Sequence, residues 1–184
     1  HTSVRLPNGR IVGIPFNARH VVIYDPRDQS ITTIGDDLGD GGGKWWGGVL
    51  VNDRFIYACP WSDSSMLKID VQTRTVVRLQ SQLPESHVGG YRWREGAVGN
   101  DDNVYFMPCH ARYILKVDTS NDTFSSVGND LGDGEWNYSG TVKVDDGCFY
   151  GIPRRTNRIV KFDPTRPDTT SIVGDEAEKK FRCF

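Results

Sequence analysis

Short apolar runs of four to seven residues follow one another along this chain, rich in Val, Ile, Tyr and Thr and separated by Gly, Asp, Asn and Pro. The stretch 47–80 is representative: "GGVLV", "ND", "RFIYACP", "WSDSS", "MLKID", "VQTRT", "VVRLQ". This pattern predicts four strands, with hairpin turns between the first and second and between the third and fourth. The same order is read in "SVRL-PNG-RIVGIP" near the start and "TVKV-DDG-CFYGIP" near the end. "DEAEKK" (175–180) is the only helix-like string, so the chain is expected to be all-β.

The theme is stated four times. Pro15, Pro60, Pro108 and Pro153 are 45, 48 and 45 residues apart, and Asp25, Asp70, Asp118 and Asp163 keep the same step. A third marker, an aromatic-plus-glycine string, precedes three of the copies as "KWWGG" (44–48), "YRWREG" (91–96) and "EWNYSG" (135–140). One meander of four strands per ~45 residues is the unit of a β-propeller blade, and such a meander must stack on a neighbour to bury its faces. The expectation is a single propeller domain over 1–184, with blades at about 1–40, 41–88, 89–134 and 135–184. Aligning the copies makes His1 continue where Phe184 stops, so the four repeats are expected either to close as a four-bladed ring or to form half of a larger, for example eight-bladed, one.

The string W-x-x-G-G/S…G-x-I-Y-G-I-P…I-x-K-x-D-P resembles a propeller repeat of long, mostly uncharacterised repeat proteins, over nearly the whole chain. Its period is like that of WD and kelch repeats, without the Gly-His/Trp-Asp pairs of the one or the double glycine of the other. The resemblance implies a fold and says almost nothing of an activity.

Composition narrows the function classes. With 22 Lys+Arg against 24 Asp+Glu there is no basic footprint for a nucleic acid. No apolar run approaches the ~20 residues of a membrane-spanning helix. Cys59, Cys109, Cys148 and Cys183 fit two disulfides or four thiols, and Cys59 with Cys109, at the ends of equivalent strands, is the pair favoured for a bridge. Sequons at Asn121 ("NDT") and Asn137 ("NYS") lean toward glycosylation and secretion.

In a propeller the loops between second and third strands and the connectors between blades open on one face. That face collects Arg19 and His20, the loop of Trp61, His110 with Arg112, Arg154, and the connectors bearing Trp45, Trp46, Trp93 and Trp136. The recurring tryptophans serve either to pack blades together or as platforms for a sugar face. Trp61, whose counterparts are Phe16, Cys109 and Arg154, is the aromatic that does not recur and the better ligand candidate. Asp36, Asp40, Asp130 and Asp133, on glycine-rich connectors, would suit Ca²⁺ or ordinary turns. No other cofactor is indicated, the histidines lack metal-ligand spacing, and no catalytic motif occurs. The expected function is a non-catalytic binding or scaffold module working through its loop-rich face. A secreted lectin is the first alternative and a Ca-dependent propeller hydrolase the second. The expected partner is a protein or a glycan, and blade-to-blade homo-oligomers are a further expectation.

Overall fold

A computed structural model describes residues 3–80, 91–132 and 137–173. The string "DEAEKK" and residues His1, His87, Asp133, Trp136 and Cys183 lie outside them. The described residues form sixteen strands and no helix. They make four antiparallel sheets, each of four strands in chain order. Sheet one holds β1 (Ser3–Arg5), β2 (Ile11–Gly13), β3 (Val21–Asp25) and β4 (Ser30–Ile34). Sheet two holds β5 (Trp45–Val51), β6 (Phe55–Pro60), β7 (Met66–Asp70) and β8 (Thr75–Leu79). Sheet three holds β9 (Trp93–Val98), β10 (Val104–Pro108), β11 (Ile114–Asp118) and β12 (Thr123–Val127). Sheet four holds β13 (Tyr138–Lys143), β14 (Phe149–Pro153), β15 (Ile159–Phe162) and β16 (Thr170–Val173). The chain divides into two compact units, 1–81 with the first two sheets and 82–184 with the others.

The repeated aspartate shapes the outer hairpin of each sheet. The amides of Arg27, Gln72, Ser120 and Thr165 donate to Oδ1 of Asp25, Asp70, Asp118 and Asp163 at 3.1, 2.9, 3.0 and 2.9 Å. An aspartate is needed because its short carboxylate closes this turn on the backbone two residues on. In the first three sheets the turn then passes through a left-handed residue, Gln29, Arg74 or Asp122. In the fourth the hairpin is one residue longer, since Phe162 pairs with Thr170 where the equivalent Val117 pairs with Phe124.

The third marker has its own structural meaning. Trp45 pairs with Pro60, Trp93 with Pro108 and Tyr138 with Pro153, and each pair is followed by a one-residue bulge before the next glycine. Trp45 and Trp93 are fully buried, and their indole Nε1 groups donate to the carbonyls of Ser65 and Tyr113 at 2.8 and 2.9 Å. Neither offers a surface to a ligand, so of the two roles expected of the tryptophans these take the packing one. The residue in phase with them in sheet four is Tyr138, not Trp136.

Each unit is built on the same interface between its two sheets. In the first, Val12, Ile14, Val21, Ile34 and Leu38 pack with Trp45, Ile56, Leu67 and Ile69. In the second the matching positions Tyr105, Met107, Ile114, Val127 and Leu131 pack with Tyr138, Phe149, Val160 and Phe162. Tyr105 lies 5.1 and 5.3 Å from the rings of Phe149 and Phe162. The connector leaving the first sheet of each unit rests on the outer strand of the second. Gly35 (φ +73°) and Gly128 (φ +80°) occupy equivalent places there, and a Cβ would come within 2.5 Å of Val76 and 2.6 Å of Thr170. Glycine is required twice over, by the backbone angle and by the space.

Candidate functional site

The loops after the second strands are tied to the connectors by a recurring main-chain ladder. Trp61 donates its amide to the carbonyl of Lys44 at 2.9 Å, Cys109 to Arg92 at 2.8 Å and Arg154 to Asn137 at 3.0 Å. Lys44 in turn donates to the carbonyl of Phe16, and Asn137 to that of Cys109. Positions 16, 61, 109 and 154 are thus fixed through the backbone. That explains how their side chains differ so widely without loss of the fold.

In the first unit this arrangement gathers three aromatic rings. Trp46 stands 5.3 Å from Phe16, nearly edge to face, and 5.1 Å from Trp61 at a 31° tilt. Trp46 and Phe16 are half-buried and Trp61 only 4% exposed, so Trp61 backs the cluster while the other two meet solvent. Exposed Asn17 and Ser62 bond the connector beside it, Asn17 accepting from the amide of Gly43 and Ser62 donating to its carbonyl. Beneath lies Lys44, buried, donating Nζ to the carbonyls of Gly41 and Gly39 at 2.6 and 3.1 Å. Burial, first, and Arg78 nearby push its ammonium below the ordinary lysine value. Trp61, favoured as the ligand contact, therefore backs the cluster, and Trp46, one of the connector tryptophans, is the indole that meets solvent.

Arg19 donates Nε to both carboxylate oxygens of Asp37, at 2.9 and 3.1 Å, and NH1 to Asp40 at 2.6 Å. Arg112 donates Nε to both oxygens of Asp130 at 3.0 Å in the second unit. In each case the arginine's hydrogen bonds hold the Asp37 or Asp130 carboxyl below the usual range, helped by the amide of Gly39 or Gly132. The connector acids Asp40 and Asp130 are accordingly spent on arginine, while Asp36 is exposed. Among the described residues no group of three or more His, Cys, Asp or Glu side chains could hold a metal ion. The calcium expectation has no donor set there. The spacing Arg-x17-Asp, present twice, was the signal for these pairs.

His20 is half-buried, with Nδ1 buried and lacking a hydrogen-bond partner. His110 lies 5.5 Å from the ring of Tyr91 in the second unit, on the loop that carries Arg112. Arg154 is half-buried on the corresponding loop of sheet four. Asn121 is exposed in the β11–β12 turn, and Asn137 is half-buried in the ladder. The expected Cys59–Cys109 disulfide is not formed: both stand as thiols, each wholly buried inside its own unit. Burial pushes the Cys109 thiol up to about 11.

The face with the short turns is not as bare as its loop lengths imply. A cleft of about 390 Å³ in the first unit is lined by Leu6, Arg10, Ile23, Asp25, Asp53 and Arg74, among others. One of about 340 Å³ in the second is lined by Asp101, Asp146 and Asp163 with their neighbours.

No family model matches the sequence, and no curated protein is significantly similar to it. Solved structures are similar in fold. Virginiamycin B lyase from Staphylococcus aureus superposes with a TM-score of 0.73 at 14% identity, over 97% of this chain and 56% of the lyase. An auxiliary nutrient binding protein from Bacteroides ovatus gives 0.65 at 11% identity, over 96% of this chain and 47% of the other. The extracellular domain of a one component system from B. thetaiotaomicron gives 0.66 at 9% identity, over 94% and 24%. The chain thus spans about half the length, or less, of these proteins. An enzyme stands among them, which corrects the expectation that this architecture speaks for a module without catalysis. Four four-stranded meanders in series, with propeller proteins as structural neighbours, make the fold of this chain a β-propeller.

Proposed function

We propose that the chain recognises a ligand through its loop-rich face, with the aromatic shelf of the first unit as the contact. The observation carrying this reading is the half-buried Trp46, held between Phe16 and Trp61, with exposed Asn17 and Ser62 bonded at Gly43 next to them. An indole face beside hydrogen-bonding side chains suits the apolar face and the hydroxyls of a sugar, so the ligand class is a glycan. The likeness to a nutrient binding protein and to an extracellular domain supports binding outside the cell, as does the exposed sequon at Asn121. The test is titration of the protein with a glycan panel, followed by calorimetry on Trp46→Ala. Glycan binding lost in that variant, with its melting temperature little changed, supports the reading. A protein that binds no glycan, or binds one equally well without Trp46, overturns it.

The likeness to a lyase favours a second reading, in which the ligand is also turned over. On the same loop His20 has a ring nitrogen without a protein partner, beside Asp37, and is the side chain placed to move a proton. His20→Ala would then abolish product formation from a bound glycan while leaving its affinity in place. Bound glycan recovered intact from the unaltered protein would sink this second reading alone.

A further inference from the structure

The interface inside each unit has two sides, and each side recurs once more at a place where it is not covered. In the second unit, sheet three offers Ala97, Tyr105, Met107 and Ile114, which sheet four covers with Phe149, Val160 and Phe162. Moving on by one repeat, 45 residues, the same positions of sheet four are Val142, Tyr150, Ile152 and Ile159. They are as apolar as their counterparts. Yet Val142 is 48% and Ile152 40% exposed, against 2% for Met107 and 1% for Tyr105. Val173, which pairs with Ile159 as Val127 pairs with Ile114, is 39% exposed beside them. Even the polar element is kept, because Lys161 on this face matches the half-buried Lys116 of sheet three.

The covering side also recurs. The positions of sheet one in phase with Phe149, Gly151, Val160 and Phe162 are Ile11, Gly13, Val22 and Tyr24. These point away from the core of the first unit and are half-buried, whereas the alternate residues Val21, Ile23 and Asp25 are buried. Gly13 repeats Gly151 in lying against the valine of the next strand, Val22 or Val160, with room for no Cβ. Sheet one thus presents the chemistry that covers Tyr105 and Met107, and sheet four presents the chemistry that is covered.

We propose that the Val142–Tyr150–Ile152 face of sheet four is an interface, and that its occupant is sheet one of a second copy of this chain. The contact is head to tail, joining two different surfaces, and so differs from a symmetric patch meeting itself. It repeats an interface the chain already makes twice within its units, which is why a second copy is favoured over an unrelated partner. Val142, Ile152 and Val173, exposed on one sheet face, are otherwise an aggregation liability.

The experiment is light scattering on the whole chain over a range of concentrations, against the 20.7 kDa of one copy. The expected result is a mass above one copy, falling to that of one copy in Ile152→Asp and, separately, in Tyr24→Asp. Mixing the two variants should restore a complex, because each keeps the surface the other has lost. Both side chains lie outside the cores, so circular dichroism should find the strand content of each variant unchanged. Should Ile152→Asp fail to fold, Val142→Lys reads the same face. A single-copy mass at every concentration overturns the proposal. So does an assembly that survives Ile152→Asp, or one whose two variants do not recover a complex on mixing.

Discussion

Arg112 grips Asp130 in the second unit with the same two-oxygen hydrogen bonding by which Arg19 grips Asp37 in the first, at the same separation of eighteen residues. In both, the leucine after the aspartate returns its amide to the arginine's own carbonyl, at 2.7 and 2.9 Å. The pair is a clamp between a loop and the connector of the same sheet. Its exposure sets its worth, because solvent screens a surface ion pair until it adds little to stability. A double-mutant cycle with Arg112→Ala and Asp130→Asn should return only a small coupling. Amide exchange at Leu131 should quicken even where global stability scarcely moves. A large coupling would mean that the pair is far better shielded than its exposure implies.

Trp45 and Trp93 anchor the entry to their sheets by a buried indole N–H on a carbonyl. Trp45→Phe keeps most of the apolar contact and strands the carbonyl of Ser65, so about 1–3 kcal/mol should be lost. Trp93→Phe should cost a similar amount through Tyr113. Urea denaturation of the two variants checks this, and a neutral Trp45→Phe would refute the role given to the hydrogen bond.

The strand order, the turns and the two-sheet interface were legible because each is written in the sequence several times in phase. One aspartate before a polar stretch could belong to any turn, whereas four aspartates at the end of the third strand identify the carboxylate that closes it. The same regularity misled at the tryptophans. Trp136 looks equivalent to Trp93 by its neighbours, but the bulge is anchored by Tyr138, which stands at the same distance before Pro153 as Trp93 does before Pro108. Trp61 was misread for a related reason. Not recurring marks a position freed by backbone bonds, and it does not say which way the ring points. The Arg–Asp clamps were hidden by distance along the chain, and their effect was to consume the acids that resembled a cation site.

Trp61 and Trp46 should separate stability from recognition. Trp61 is buried behind Trp46, so Trp61→Ala removes core contact and should cost about 3–5 kcal/mol, as for other buried aromatic truncations. Trp46→Ala, half-exposed, should cost clearly less. Thermal melts of the two variants decide the point, and equal losses would place Trp46 in the core as well.

Cys109 is wholly buried, and its thiol is held up to about 11 by desolvation. Reaction needs the thiolate, so Cys109 should resist alkylation in the native protein near pH 8 and react once the chain is unfolded. Mass mapping after timed iodoacetamide treatment measures this directly. Labelling of Cys109 at the rate of an open thiol would contradict its burial.

Acid should act through the turn aspartates. Arg27 first and then Arg10 hold the Asp25 carboxyl far below the usual carboxylate range, and Arg54 does so for Asp70. Asp25 receives Nε of Arg10 at 2.9 Å and Asp70 receives Nε of Arg54 at 3.0 Å, both carboxylates being nearly inaccessible to solvent. A folded-state value below the unfolded one, about 3.9, means that the unfolded chain takes up protons first as pH falls. The stabilisation is therefore complete above about pH 4 and is lost progressively below it. Melting temperature should be flat in this respect from neutral pH down to that point and then drop. In the double variant Asp25→Asn, Asp70→Asn the whole curve should lie lower, with a shallower acid limb, since two of the groups that drive it are gone. An acid limb as steep in the double variant as in the unaltered chain would show that other carboxylates govern acid unfolding.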